Sequence, residues 1–278
     1  MRTYGSKYTV ALAIVAVTLL GSAVLLNRLQ GRPADDAGST IAATAPVDLG
    51  HPFANTPTAT WSEGAAGIQP PAAAPVGRYS AATVTAATDR VKQLIVAARL
   101  DQHVLETQDA EPVLALLATH QVEDIRPKLK SGNAADTWWL TEKLAPGYRL
   151  LPVSPRVEGS MTVGLNSKGE LAIRTDYSVA YAFTPPDRTG YGAFDIVAMV
   201  RRVVEYDWVE DPAYDGGSQG MWIGDVQGFA YPVNCFLGKK GYLAPNYGNP
   251  PSFGGAPDKH RPEYYFDRSM PMPQDGNC

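Results

Sequence analysis

Cysteine and histidine are scarce in this chain: two cysteines, Cys235 and Cys278, and four histidines, at 51, 103, 120 and 260, in 278 residues. There is no CxxC pair and no Cys/His cluster, which excludes a structural zinc site, and two cysteines cannot build a disulfide framework. A basic surplus is missing too. The 24 Lys and Arg are outnumbered by 28 Asp and Glu, so the cationic footprint that phosphate backbones require is absent, and nucleic acid is excluded as a partner. Lysine vanishes altogether between Gly31 and Tyr79. No motif asks for a cofactor or metal, and no acid/base pair is spaced for catalysis, so the sequence names no reaction.

What the chain does have is one long apolar run. Tyr8 to Leu26 carries no charge, and as a helix rising about 1.5 Å per residue it spans roughly the 30 Å hydrocarbon core. Arg2 and Lys7 precede it, so the positive-inside rule keeps residues 1–7 cytoplasmic and makes 8–27 an uncleaved signal anchor. The expected location is the cell membrane, single-pass, with the remainder outside. Beyond the span Arg2 and Lys7 no longer count, and the formal charge falls to −6. Residues 28–79 are rich in Ala, Pro, Thr and Gly, with Pro33, Pro46, Pro52, Pro57, Pro70, Pro71 and Pro75 spread through them. That composition reads as a disordered linker, because it offers little apolar surface to offset the entropy of ordering. Trp61 reads as a solvated linker aromatic.

Periodicity begins at Ser80. Val84, Ala87, Val91, Leu94, Ile95, Ala98 and Leu105 follow helical spacing as far as Gln108, with Lys92, Arg99 and His103 on the opposite face. A second helix opens at Asp109, with Glu111 and Pro112 in its first turn, and a weaker third covers Val122 to Leu129 around Pro127. The period then changes to two. Val157 to Leu165 and Leu171 to Phe183 alternate around a turn at Asn166 to Gly169, and further strands fit Phe194 to Trp208 and Met221 to Tyr231. Beyond Leu243 the chain is rich in Gly, Pro and aromatics and has no period. The fold class is therefore α+β, helices packed on one face of a curved antiparallel sheet, with the domain at 80–243 and an irregular tail at 244–278.

Four residues read as a ligand-binding set within that domain: Gln102, on the apolar face between Ala98 and Leu105; Arg202, which shares strand parity with Val200 and Val204; and Tyr177 and Tyr181, on the cavity wall. An inward Arg must be paired, because an isolated charge in an apolar interior costs several kcal/mol. Asp101 is one candidate, and Glu205 and Asp207 are others if a bulge shifts the register. Arg174 and Asp176 fall on the outward face. Gly216-Gly217-Ser218-Gln219-Gly220 matches the letters of the GxSxG nucleophile elbow, but a strand follows where that motif needs a helix, so it reads as a hairpin loop with no catalytic role. Cys235 and Cys278 are expected to pair as a disulfide, since an exported domain meets an oxidising compartment.

The order of a long helix, a short acidic-capped helix (DAEPVLALL) and a meander of long strands resembles the cone-shaped NTF2-like, or cystatin-like, fold. The wording LDQHVLETQDAEPVLALL, the strand VRRVV and the late pattern CFLGKKGYLAP, then YFDRS and a final Cys, resembles a family of uncharacterised anchored or exported proteins from high-GC Gram-positive bacteria. This resemblance covers about Ala82 to Cys278 and implies fold and location, with no substrate. The layout of short tail, single span and NTF2-like ectodomain is also similar to that of inner-membrane assembly subunits of type IV secretion and conjugation systems. It implies a non-catalytic module with an envelope protein partner, the alternative being small-ligand binding or hydrolysis in the cone cavity.

Overall fold

The computed structural model describes residues 46–187, 190–247 and 260–273. The tail 1–7, the span 8–27, the start of the linker and Cys278 lie outside them. Among the described residues no helix is long and apolar enough to cross a membrane.

The frame is an antiparallel sheet of five strands in the order β1 (Ser62–Glu63), β2 (Arg156–Leu165), β3 (Leu171–Ala182), β4 (Val197–Val209) and β5 (Gly220–Tyr231). The strict alternation of β3 divides it between two faces. Leu171, Ile173, Tyr177, Val179 and Tyr181 join the main core, whereas Ala180 and Ala182 join a second one. The main core is covered by α1 (Ala81–Arg99), which Ser80 caps by accepting a hydrogen bond from the Thr83 amide at 3.2 Å. Val84, Ala87, Val91, Leu94, Ile95 and Ala98 of α1 are buried against the sheet. Three shorter helices follow: α2 (Gln102–Thr107), α3 (Glu111–Leu114) and α4 (Thr119–Lys130). Asp109 accepts from the Glu111 amide at 3.0 Å, and α4 carries Pro127 within its last turn.

The helical stretch from Ser80 is not continuous, and this overturns one expected site residue. Asp101 caps a new helix by accepting from the Val104 amide at 3.1 Å, so the chain changes direction between Arg99 and Gln102. Val104 and Leu105 turn inward, and Gln102 is exposed, donating to Glu106 Oε1 at 2.9 Å. Arg99, the last residue of α1, is buried as well, at 7% exposure, because the stretch carrying Trp139 and Glu142 covers the side of the helix that spacing had assigned to solvent.

The linker expectation also needs correction from residue 46 onward. Phe53, Trp61, Ile68 and Tyr79 are buried, and Trp61 N–H completes a 3-10 turn at Pro57–Thr60. Average composition misleads here because the burying surface is supplied by the sheet. Four large apolar side chains spaced along the segment are enough to anchor it. Ile68 and Tyr79 enter the main core, whereas Phe53 and Trp61 enter the second core on the opposite face. After a single turn α5 (Ala193–Ile196) and the strands, α6 (Cys235–Gly238) precedes the tail, whose α7 (Pro262–Phe266) completes the second core with Tyr265 and Phe266.

Candidate functional site

Between α1 and the sheet, charge is buried. Arg202 on β4 points inward, as its parity with Val200 and Val204 requires, without any bulge at that position. Its partner comes from neither α1 nor β4. The connecting stretch Leu140–Ala145 threads beneath α1, held by Glu142 N–H to Ala98 O at 3.1 Å and Leu144 N–H to Leu105 O at 3.0 Å. This places Glu142, 6% exposed, where Oε1 meets Arg202 Nη2 at 2.8 Å and Arg99 Nη1 at 3.1 Å. Arg99 Nη2 also donates to Trp139 O at 2.9 Å, and Arg202 lies 4.9 Å over the Trp138 ring. Lys143 is buried next to the pair and donates to Thr137 O at 2.9 Å; burial pushes its ammonium down to about 8, helped by the two guanidiniums.

Tyr181 and Tyr177 complete this layer. The Tyr181 hydroxyl donates to Arg99 O at 2.8 Å, and full burial raises its pKa. Gly159 pairs with Tyr177 across the β2–β3 ladder, and the missing Cβ leaves the space that the phenol ring fills. The sequence therefore brings Arg202, Tyr177 and Tyr181 together and leaves Gln102 out. The cavity they line with Arg99, Thr175 and Tyr206 is only about 20 Å³, the room of about one water molecule. Glu142, Arg99 and Lys143 were missed. The one signal for them is the charged pair Glu142-Lys143 embedded between Trp138-Trp139-Leu140 and Leu144-Ala145, an odd place for exposed charges.

A larger cleft of about 310 Å³ opens on the other side of Arg202, between β5, α6 and residues 135–142. Trp138, Glu142, Arg202, Gly228, Lys239 and Tyr242 are among its walls.

The GxSxG loop holds a histidine that sequence spacing did not place. His120, in the first turn of α4, meets Asp215 Oδ1 at 2.8 Å through Nε2 and Glu123 Oε2 at 3.0 Å through Nδ1. Ser218 is fully buried, and its hydroxyl donates to Asp215 Oδ2 at 3.3 Å, so the carboxylate stands between hydroxyl and imidazole. β5 begins at Gly220, with no helix after the serine. A nucleophile needs an exposed oxygen beside the base; this trio instead ties a loop to a helix. The two carboxylates raise the His120 pKa, Glu123 most and Asp215 next. A raised folded-state value means that the tie is complete below the ordinary histidine value near 6.5 and is lost as pH rises through the folded value. An NMR titration of His120 is expected to give a midpoint above 6.5, with amide exchange at 210–219 accelerating over the same range. A midpoint below 6.5 would refute the assignment.

No protein-family model, curated protein or solved structure matches the chain.

Proposed function

We propose that this protein is a membrane-anchored, extracytoplasmic NTF2-like module that acts by binding a protein partner in the cell envelope and catalyses no reaction. Residues 8–27 are its anchor, residues 1–7 its cytoplasmic tail, and the folded part faces outward. The closed interior carries the reading. In enzymes and ligand binders of cone-shaped architecture the space between helix and sheet receives the small molecule; here Tyr177, Tyr181, Arg99, Arg202 and Glu142 occupy it and leave about 20 Å³. The long α1 laid across a meandering antiparallel sheet supports the NTF2-like assignment. With the interior filled, surfaces are left to carry function.

Protease added to intact, wall-stripped cells is expected to digest the folded part, and photo-crosslinkers on its surface are expected to trap a discrete envelope protein. Full protection of the folded part would overturn the topology. A small-molecule turnover abolished by Tyr181→Phe would overturn the non-catalytic reading.

A further inference from the structure

Among the described residues β5 is an edge strand, and only the first half of its free edge is closed. At its start, Ala118 N–H donates to Met221 O at 2.8 Å, and the Gln121 side chain acts as a one-residue strand, donating to Ile223 O at 2.7 Å and accepting from Ile223 N–H at 2.8 Å. From Asp225 to Ala230 the only strand neighbour among the described residues is β4, and Asp225, Gln227 and Gly228 are exposed. Natural edges are usually blocked by lysine, proline or a covering element. Along this stretch, Asp-Val-Gln-Gly-Phe-Ala, the single charge is Asp225.

The 310 Å³ cleft runs beside this open edge, and its charge is unbalanced. Arg202 and Lys239 line it against one acid, Glu142, whose Oε1 is also claimed by Arg99 deeper in the fold; Lys143, outside the lining, bonds to neutral carbonyls, and Lys239 is exposed on the rim without an ion pair among the described residues. Arg202 Nε is buried with no acceptor among the described residues. Asp225 is the one acid on the edge itself, and it does not line the cleft. At Gly228 a side chain would collide with Trp138 and Arg202, so only glycine lets the strand pass this close to the guanidinium.

We propose that the Asp225–Ala230 edge and this cleft together take an extended acidic segment of a protein partner. Its backbone adds a strand to β5, and an Asp or Glu carboxylate reaches into the cleft towards Arg202 and Lys239. Main-chain pairing supplies affinity in such strand addition, while the pocket beside the edge supplies selectivity. The proposal rests on the protein-binding reading above and names the chemistry of the partner.

The test uses the full chain in detergent and a capped hexapeptide of alternating Glu and Val, with a Lys-Val hexapeptide, free glutamate and inorganic phosphate as controls. Glu-Val binding is expected to slow amide exchange at 225–230 and to weaken at least tenfold in Lys239→Glu, whose exposed side chain leaves folding untouched. Absence of protection, equal protection by Lys-Val, or an effect reproduced by glutamate or phosphate would overturn the proposal. Should the peptide fail while surface crosslinks still trap an envelope protein away from β5, the edge is wrong and the binding module stands. Loss of both removes the function as well.

Discussion

Replacing Glu142 by alanine is expected to cost about 3–5 kcal/mol, the range for removing one partner of a buried ion pair. The reason is what stays behind. Arg99 and Arg202 both lean on Glu142 Oε1, at 3.1 and 2.8 Å, and Lys143 is buried beside them with only carbonyl partners. Without the carboxylate, two guanidiniums remain largely buried with no counter-charge, Arg99 among Ile95, Val179, Tyr181 and Val200 beside a cavity of about 20 Å³, and Arg202 with only one side on the larger cleft. Since a domain of this size has about 5–15 kcal/mol in total, the variant is expected to be at the edge of unfolding. Denaturation followed by tryptophan fluorescence measures it. Two companions separate the cause. Glu205→Gln breaks the exposed pair with Arg174 and is expected to cost less than about 1 kcal/mol. The triple change Arg99→Met, Glu142→Leu, Arg202→Met removes all three charges and is expected to recover most of the loss, because it is the stranded charge that destabilises. A loss below about 1 kcal/mol in Glu142→Ala would mean that water reaches the cluster.

This cluster marks the limit of what the sequence makes legible. Strand alternation is a local rule, and it places Arg202 inward with Tyr177 and Tyr181 while putting Arg174 and Asp176 on the far face, where Glu205 and Arg201 meet them. Helical periodicity is local as well, yet it runs unbroken through Leu100 because Leu105 happens to fall in phase. The N-cap at Asp101 resets that phase and exposes Gln102, while Arg99, still in phase at the end of α1, is buried by Trp139 and Glu142 from a distant stretch. The partner of Arg202 lies 60 positions away on a stretch with no period, and only the three-dimensional path of Leu140–Ala145 beneath α1 brings it in. The segments outside the central domain were obscured for a related reason. Their aromatics have no partners nearby in sequence and find them on the sheet.

The C-terminal segment is one of those docked pieces, and Phe266→Ala and Tyr265→Ala are each expected to cost about 3–5 kcal/mol, as for other buried aromatics. Tyr265 stacks on Tyr231 at 4.2 Å between ring centres and on Phe229 at 5.8 Å, while Phe266 packs against Trp61 at 6.3 Å and Phe194 at 5.8 Å. Polar contacts fasten the chain that follows α7. Arg201 holds Asp176 through two nitrogens, at 2.9 and 2.8 Å, and turns its remaining donors to Met270 O and Arg268 O, while Arg268 donates back to Asp176 O at 2.7 Å. Loss of the tail would therefore expose the second core and leave the buried Arg201 short of acceptors. Because the two aromatics share one cluster, the double variant is expected to lose less than the sum of the single losses. A Cys235–Cys278 disulfide would secure the same segment. Closing a loop of about 43 residues removes denatured-state entropy on the order of 4 kcal/mol in the chain-entropy model. Cys278→Ser is then expected to leave the aromatic contacts in place but to raise the rate of proteolysis beyond Leu243, and non-reducing mass spectrometry of the native protein is expected to find one linked peptide pair. If both thiols alkylate in native protein, the aromatic cluster alone retains the tail; if Phe266→Ala is as stable as the parent, the tail is an accessory and the second core stands on Phe53 and Trp61.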